Sequence, residues 1–195
     1  GTVEHFKSNA GCRNGLTSNA ITSLFQDEAT NIWIGTYAGG LHHFIPEKKK
    51  FVHHPVIYKD QEIKNIWAIQ QNGQKLWLGS SSGLFTYDLI TSQIEQVKSV
   101  NKKANAYLGR VLTIFIDHQG TIWTGGTTLN YFDQESGMLK PLTIQKENFW
   151  GNYDIRCITE DEKGNLWVGT EGGGLVNVDK SRQKFTSYGT MDDLP

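Results

Sequence analysis

Four of the six histidines fall in two adjacent pairs, His42-His43 and His53-His54, which flank the turn Pro46 to Lys50. A hairpin closed at that turn would place His43 opposite His53 and His42 opposite His54. Two cross-strand imidazole pairs have the donor chemistry of a metal site. The sequence sets no third ligand beside them, and polar pairs on outer strands need no metal, so the expectation is no metal and no cofactor. The acid and base candidates are Glu160, Asp161 and Glu171, a set that would suit a lyase or glycosidase if paired. Against catalysis, Asp161 recurs in register as Asp27 and Asp117, always at a turn where a carboxylate caps backbone N–H groups. Cys12 and Cys157 lie far apart without ligand spacing, which predicts two free thiols, with Cys157 buried.

Composition removes several function classes. Lys and Arg number 19 against 20 for Asp and Glu, without a long block of one sign, so nothing in the charge suits a phosphate backbone and nucleic acid is not an expected partner. No apolar run approaches the roughly 18 residues of a membrane span, so any membrane link would come through a parent protein. The opening residues show no charged and apolar leader pattern, so the compartment is not read directly.

The elements that must position these groups come from a repeat. Asn31 to Thr36, Lys75 to Ser80, Thr121 to Gly126 and Asn165 to Thr170 align, with tryptophans Trp33, Trp77, Trp123 and Trp167 at intervals of 44, 46 and 44 residues. That period suits four-stranded propeller blades and is too long for leucine-rich repeats. Around each tryptophan the order is an apolar strand, a tight turn, the Trp strand, a loop that is glycine-rich in three of the copies, a third strand, a charged turn and a fourth strand. In the first copy the strands are expected over 21–27, 32–36, 40–45 and 51–56. Helical periodicity is absent and β-branched and aromatic runs dominate. The reading is all-β: a β-propeller fragment of about four four-stranded antiparallel blades spanning 1–195. The blades are approximately 16–56, 63–98, 108–144 and 153–189, with 1–15 as the end of a preceding blade and 190–195 as the start of a following one. Tryptophans recurring at the repeat period are expected in the core between sheets.

The run from Leu16 to Leu41, with Leu-x-Ser-Asn, Ile-x-Ser-Leu, an Asp, Trp-Ile-Gly-Thr and Gly-Gly-Leu, resembles the two-component regulator propeller repeat. The likeness is strongest in the first and fourth copies and covers nearly the whole chain. It implies the periplasmic sensor region of Bacteroidetes-type hybrid two-component regulators, where propellers precede a small β-sandwich, a membrane span and a histidine kinase. By that resemblance the chain is expected to recognise glycans or oligosaccharides and to pass the signal to a kinase elsewhere in the parent, without being an enzyme itself. The alternatives are a protein-interaction or dimerisation scaffold, whose uncovered terminal blades would self-associate, and a propeller lyase or glycosidase.

If strands run outward from the axis in chain order, the turns after the second strands and the crossovers between blades share one face. The crossovers gather Tyr107 and Arg110 before the third blade, and Trp150, Asn152, Tyr153 and Arg156 before and within the fourth; the turns contribute Tyr37 and Glu171. A pyranose offers an apolar face for ring stacking and a rim of hydroxyls for planar donors and acceptors, which is the chemistry of this set. These eight residues are the expected ligand contacts, and packing between blades is the competing role for their rings.

Overall fold

A computed structural model describes residues 2–8, 15–100, 109–142 and 153–189. The chain folds as four successive antiparallel sheets. The first comprises β1 (Ile21–Gln26), β2 (Ile32–Thr36), β3 (Gly40–Ile45) and β4 (Lys50–His54). A small hairpin, β5 (Ile57–Tyr58) and β6 (Gln61–Glu62), follows in what the sequence shows only as a crossover. The second sheet holds β7 (Ile66–Asn72), β8 (Lys75–Ser80), β9 (Gly83–Asp88) and β10 (Ile94–Gln96). The third comprises β12 (Val111–Ile116), β13 (Ile122–Gly126), β14 (Asn130–Asp133) and β15 (Met138–Pro141), with the short β11 (Lys98–Ser99) added parallel to β15. The fourth holds β16 (Ile155–Glu160), β17 (Leu166–Thr170), β18 (Leu175–Val178) and β19 (Phe185–Tyr188). No helix among the described residues is long and apolar enough to cross a membrane.

The chain divides into two compact units, one of residues 1–81 and 85–96, the other of 82–84 and 97–195. In the first, Trp33 and Leu41 pack against Ile66, Ile69, Leu76, Leu78 and Phe85. In the second, Trp123 and Leu129 pack against Ile155, Ile158, Leu166, Val168, Val176 and Val178. Trp33, Trp77 and Trp123 are buried and Trp167 is half-buried.

The recurrent aspartates do more than cap turns. Asp27 accepts the Trp33 indole N–H at 2.8 Å, Asp117 that of Trp123 at 2.8 Å and Asp161 that of Trp167 at 3.0 Å, while each also accepts the backbone N–H four residues on. One carboxylate thus closes the turn between the first and second strands and orients the large core ring, which explains why Asp and Trp recur six residues apart. The glycine two residues after Trp has an equally specific cause. A Cβ on Gly35 would stand 2.7 Å from the Ile66 carbonyl oxygen, and one on Gly125 would stand 2.4 Å from Ile155 Cγ2, so the next sheet approaches too closely for any side chain.

Each first strand carries a β-bulge, between Ile21 and Ser23, Ile66 and Ala68, Val111 and Thr113, and Ile155 and Cys157. The inserted residue reverses the in-and-out phase, so Ile155 and Ile158 both face the core. Cys157 consequently lies exposed, contrary to the burial that plain alternation predicts. The histidine register also differs from expectation. Lys50 joins β4 rather than the turn, because Pro46–Lys48 forms a 3-10 turn closed by Lys49 in the left-handed region at φ 48°. His42 therefore pairs with His53, while His43 faces Val52 and Leu41 faces His54. A one-residue slip exchanges faces, and the two imidazole pairs end on opposite sides of the sheet.

Candidate functional site

In the first and fourth sheets the residue that leaves the second strand donates its N–H to the residue that enters the first strand of the same sheet. Tyr37 N–H reaches Ala20 O at 2.8 Å, and Glu171 N–H reaches Asp154 O at 2.8 Å. The turn after the second strand and the entry to the first thus share one end of the sheet, and that end forms a corner in each unit.

In the first unit the turn residue Ala38, at φ 62°, donates its N–H to Asn65 Oδ1 at 2.8 Å, and Gly40 N–H reaches Lys64 O at 2.8 Å. These bonds seat the turn of the first sheet against the chain entering the second. Trp67, the extra residue of the β7 bulge, comes back toward this turn, with its ring 5.8 Å from that of Tyr37 at an interplanar angle of 44°. Tyr37 is half exposed.

In the second unit the corner is ionic. Arg110, entering β12, pairs with Asp154, entering β16. Arg156 occupies the β16 bulge, and its guanidinium holds Glu171 at 2.6 Å through Nη2 and 2.7 Å through Nε. Tyr153, also half exposed, lies over Gly172 and Gly173, where a Cβ would stand 3.3 Å and 2.5 Å from its ring carbons. Of the residues expected to contact a ligand, Arg110, Tyr153, Arg156 and Glu171 fall in this unit and Tyr37 in the other. Tyr107, Trp150 and Asn152 lie outside the described residues. Sequence reading passed over Trp67 and Asn65. The signal was available, since aligning the copies on their tryptophans, with the shorter turn of the second copy allowed for, puts Trp67 in the column of Arg156.

The histidines sit in packing. His42 is fully buried; its Nε2 accepts the Thr17 N–H at 3.3 Å and lies 3.1 Å from Thr17 Oγ1, and its ring centroid is 5.0 Å from that of His53. His53 Nε2 lies 3.0 Å from Glu62 Oε1. On the other face His43 stacks on Trp33 at 5.0 Å, and His54 Nδ1 meets the Tyr87 hydroxyl at 2.9 Å. Burial, reinforced by the neighbouring imidazoles, pushes both His42 and His54 down from 6.5 to about 4, and burial also lowers His43. Among the described residues no group of three or more His, Cys, Asp or Glu is arranged to hold a metal ion.

The carboxylates are equally committed. Glu160 accepts the His118 backbone N–H at 2.9 Å and lies 2.8 Å from His118 Nδ1, and Arg182 stands 3.5 Å from it. Asp161 is tied to Asn165 and Trp167, whose hydrogen bonds hold its carboxyl well below the ordinary carboxylate range. Glu171 is paired with Arg156.

The model of the two component regulator propeller matches residues 15–38 and 150–172, the Trp-bearing stretches of the first and fourth copies. Both stretches are similar to two-component regulator propeller repeats. The chain is 27% identical over 183 residues to Histidine kinase P4 of Formosa agariphila, a match covering 86% of this chain and 13% of that kinase. Among solved structures, the extracellular domain of a hybrid two-component system from B. thetaiotaomicron superposes with TM-score 0.77 at 19% identity, over 97% of this chain and 24% of that one. The extracellular domain of a one-component system from the same organism superposes with TM-score 0.69 at 22% identity, over 93% and 26%. The chain therefore spans a small part of the proteins it matches. These likenesses show the fold: the four sheets are β-propeller blades.

Proposed function

We propose that this propeller segment is the ligand-sensing part of a periplasmic two-component sensor, that it recognises glycans or oligosaccharides, and that a histidine kinase elsewhere in the parent receives the signal. The propeller repeats, the kinase relative and the likeness to extracellular domains support the setting. The observation that carries ligand recognition is the pair of half-exposed tyrosines, Tyr37 and Tyr153, at the same end of the first and fourth sheets, beside Asn65 in one unit and beside paired arginines and carboxylates in the other. A ring with a polar neighbour at a blade corner is the equipment for holding a sugar. Binding rather than turnover is favoured because Glu160, Asp161 and Glu171 are each engaged by protein partners.

Calorimetric titration of a panel of oligosaccharides into the chain tests this. Saturable heat with at least one glycan, reduced by Tyr37→Ala or Tyr153→Ala, is expected. Turnover of a glycan that Glu171→Gln abolishes would replace this reading with catalysis.

A scaffold reading has one observation in its favour. Ile21 and Leu24 of the first sheet stand exposed, although their counterparts Ile66 and Ile69, Val111 and Ile114, and Ile155 and Ile158 are buried. Self-association through that face would show as a dimer mass in solution, abolished by Leu24→Glu.

A further inference from the structure

Trp67 differs from the other indoles whose contacts are described. Trp33, Trp123 and Trp167 each donate Nε1–H to an aspartate, whereas Nε1 of Trp67 is covered and has no acceptor among the described residues. Leaving a covered N–H unpaired costs about 1–3 kcal/mol, so such a group calls for an explanation. Thr22, Leu112 and Arg156 stand at the equivalent bulges, so the fold itself does not require tryptophan there. The ring beside it is that of Tyr37, which is half exposed and whose hydroxyl has no partner among the described residues. Asn65 spends its Oδ1 on Ala38 N–H, while its amide nitrogen makes no hydrogen bond among the described residues.

We propose that Tyr37 and Trp67 form a subsite for one uncharged pyranose ring, entered when the Tyr37 ring moves off Trp67 and a sugar hydroxyl accepts the indole N–H. The proposal rests on the glycan-sensing reading and gives it a place and a substrate class.

Three considerations choose this occupant. Two rings and one amide match the face and rim of a single sugar, whereas a stable protein interface buries about 800 Å² on each partner. Tyr37, Ala38, Asn65 and Trp67 bring no charge, and the nearby Lys64 has Glu62 at 4.0 Å, so a uronate or sulfated sugar gains nothing from the corner. The corner of the second unit carries charges, but its arginines already hold carboxylates, and a ligand there must first break an ion pair. At the Tyr37 corner a ligand satisfies a donor that has no acceptor among the described residues, so the free energy of the missing hydrogen bond becomes available to binding.

The test is a titration of the isotopically labelled chain with methyl β-D-glucopyranoside, methyl β-D-galactopyranoside and cellobiose, with glucuronate as the charged control, followed through the indole N–H resonances. The Trp67 resonance is the one missing in Trp67→Leu. It is expected to move with at least one neutral probe and not with glucuronate, and Tyr37→Ala, a surface change that leaves the fold intact, is expected to weaken that probe about tenfold, the effect of losing one stacking ring of roughly 1.4 kcal/mol. If a neutral sugar binds and leaves the Trp67 resonance still, while Arg156→Ala abolishes binding, the subsite is overturned and the glycan-sensing reading stands. If glucuronate moves the resonance as strongly as the neutral probes, the uncharged class is overturned. If an extended peptide moves it and no sugar does, or if nothing binds the folded chain, the subsite and the glycan reading beneath it both fall.

Discussion

The two units join their sheets around the same aspartate and tryptophan latch, yet they surround it with opposite chemistry. In the first unit Trp33 is enclosed by neutral rings, His43 stacked at 5.0 Å, His54 at 4.9 Å and Tyr87 at 5.9 Å, and the junction is bridged by Gln71 Oε1 accepting the Glu28 N–H at 3.1 Å. In the second unit Trp123 lies under the Arg182 guanidinium at 5.2 Å, and Arg182 stands 3.5 Å from both Asp117 and Glu160. Glu160 there plays the part of Gln71, accepting the His118 N–H. The period fixes the latch, and the residues that do not repeat decide what each junction responds to: proton uptake in the first unit, loss of a charge partner in the second.

The largest expected effect lies at Asp117. Replacing it with Ala removes the acceptor of the Trp123 indole and leaves the mostly buried Arg182 one partner short, which should cost about 3 kcal/mol in urea unfolding. Asp161→Ala, at a half-buried tryptophan with no arginine above it among the described residues, should lose clearly less. Equal losses would mean that the latch alone, and not its surroundings, sets the stability of each unit.

Acid should discriminate in the other direction. His42 titrates near 4 in the folded chain against 6.5 when exposed, so the unfolded chain binds the proton first as pH falls. Its contribution is complete above about pH 6.5, declines below it and has fallen by about 3 kcal/mol near pH 4; His54 acts in the same sense. The carboxyls of Asp27, Asp117 and Asp161 are held below 3.8, so their stabilisation is lost only at still lower pH, and the window from 6.5 to 4 reports the histidines. Unfolding curves between pH 7.5 and 4.5 should show a steep acid limb that His42→Gln flattens. An unchanged limb would remove the first unit's half of the contrast.

Arg182→Ala should have the smallest effect, about 1–2 kcal/mol, because it removes two long ion pairs, one cation–π contact and the Nη1 hydrogen bond to Gly164 O at 3.0 Å but leaves Asp117 its hydrogen bonds from Trp123 and Thr121. Raised salt should reduce the difference between Arg182→Ala and the parent chain, and should leave the His42→Gln difference unaltered. Salt acting alike on both would break the contrast.

Much of the architecture was legible because it is written once per repeat. Trp33, Trp77, Trp123 and Trp167 announced the sheets, the turn residues announced their hairpins, and the expected strands of the first copy lie within two residues of β1 to β4. What escaped was local and unrepeated. The turn after Ile45 could close with Lys50 in or out of the strand, and the left-handed Lys49 put it in, moving His42 opposite His53. The bulges escaped because an inserted residue leaves composition unchanged while reversing the phase, which is how Cys157 came to be exposed.

The corners divide in the same way. Tyr37, Arg110, Tyr153, Arg156 and Glu171 could be named from their positions in the repeat, and the partners they found could not. Asp154, Asn65 and Trp67 drew no reading from the sequence.

The sequence by itself determined the β-strand composition, the period, the latch residues and the end of the sheet at which unrepeated aromatic and charged residues collect. All of these depend on spacing along the chain, and spacing is what a sequence records. Only the tertiary structure decided which arginine meets which carboxylate, which histidines share a face, and that the Trp67 indole has no acceptor among the described residues. Those outcomes depend on register, bulges and the approach of one sheet to the next, where a shift of one residue or a few ångströms exchanges one partner for another.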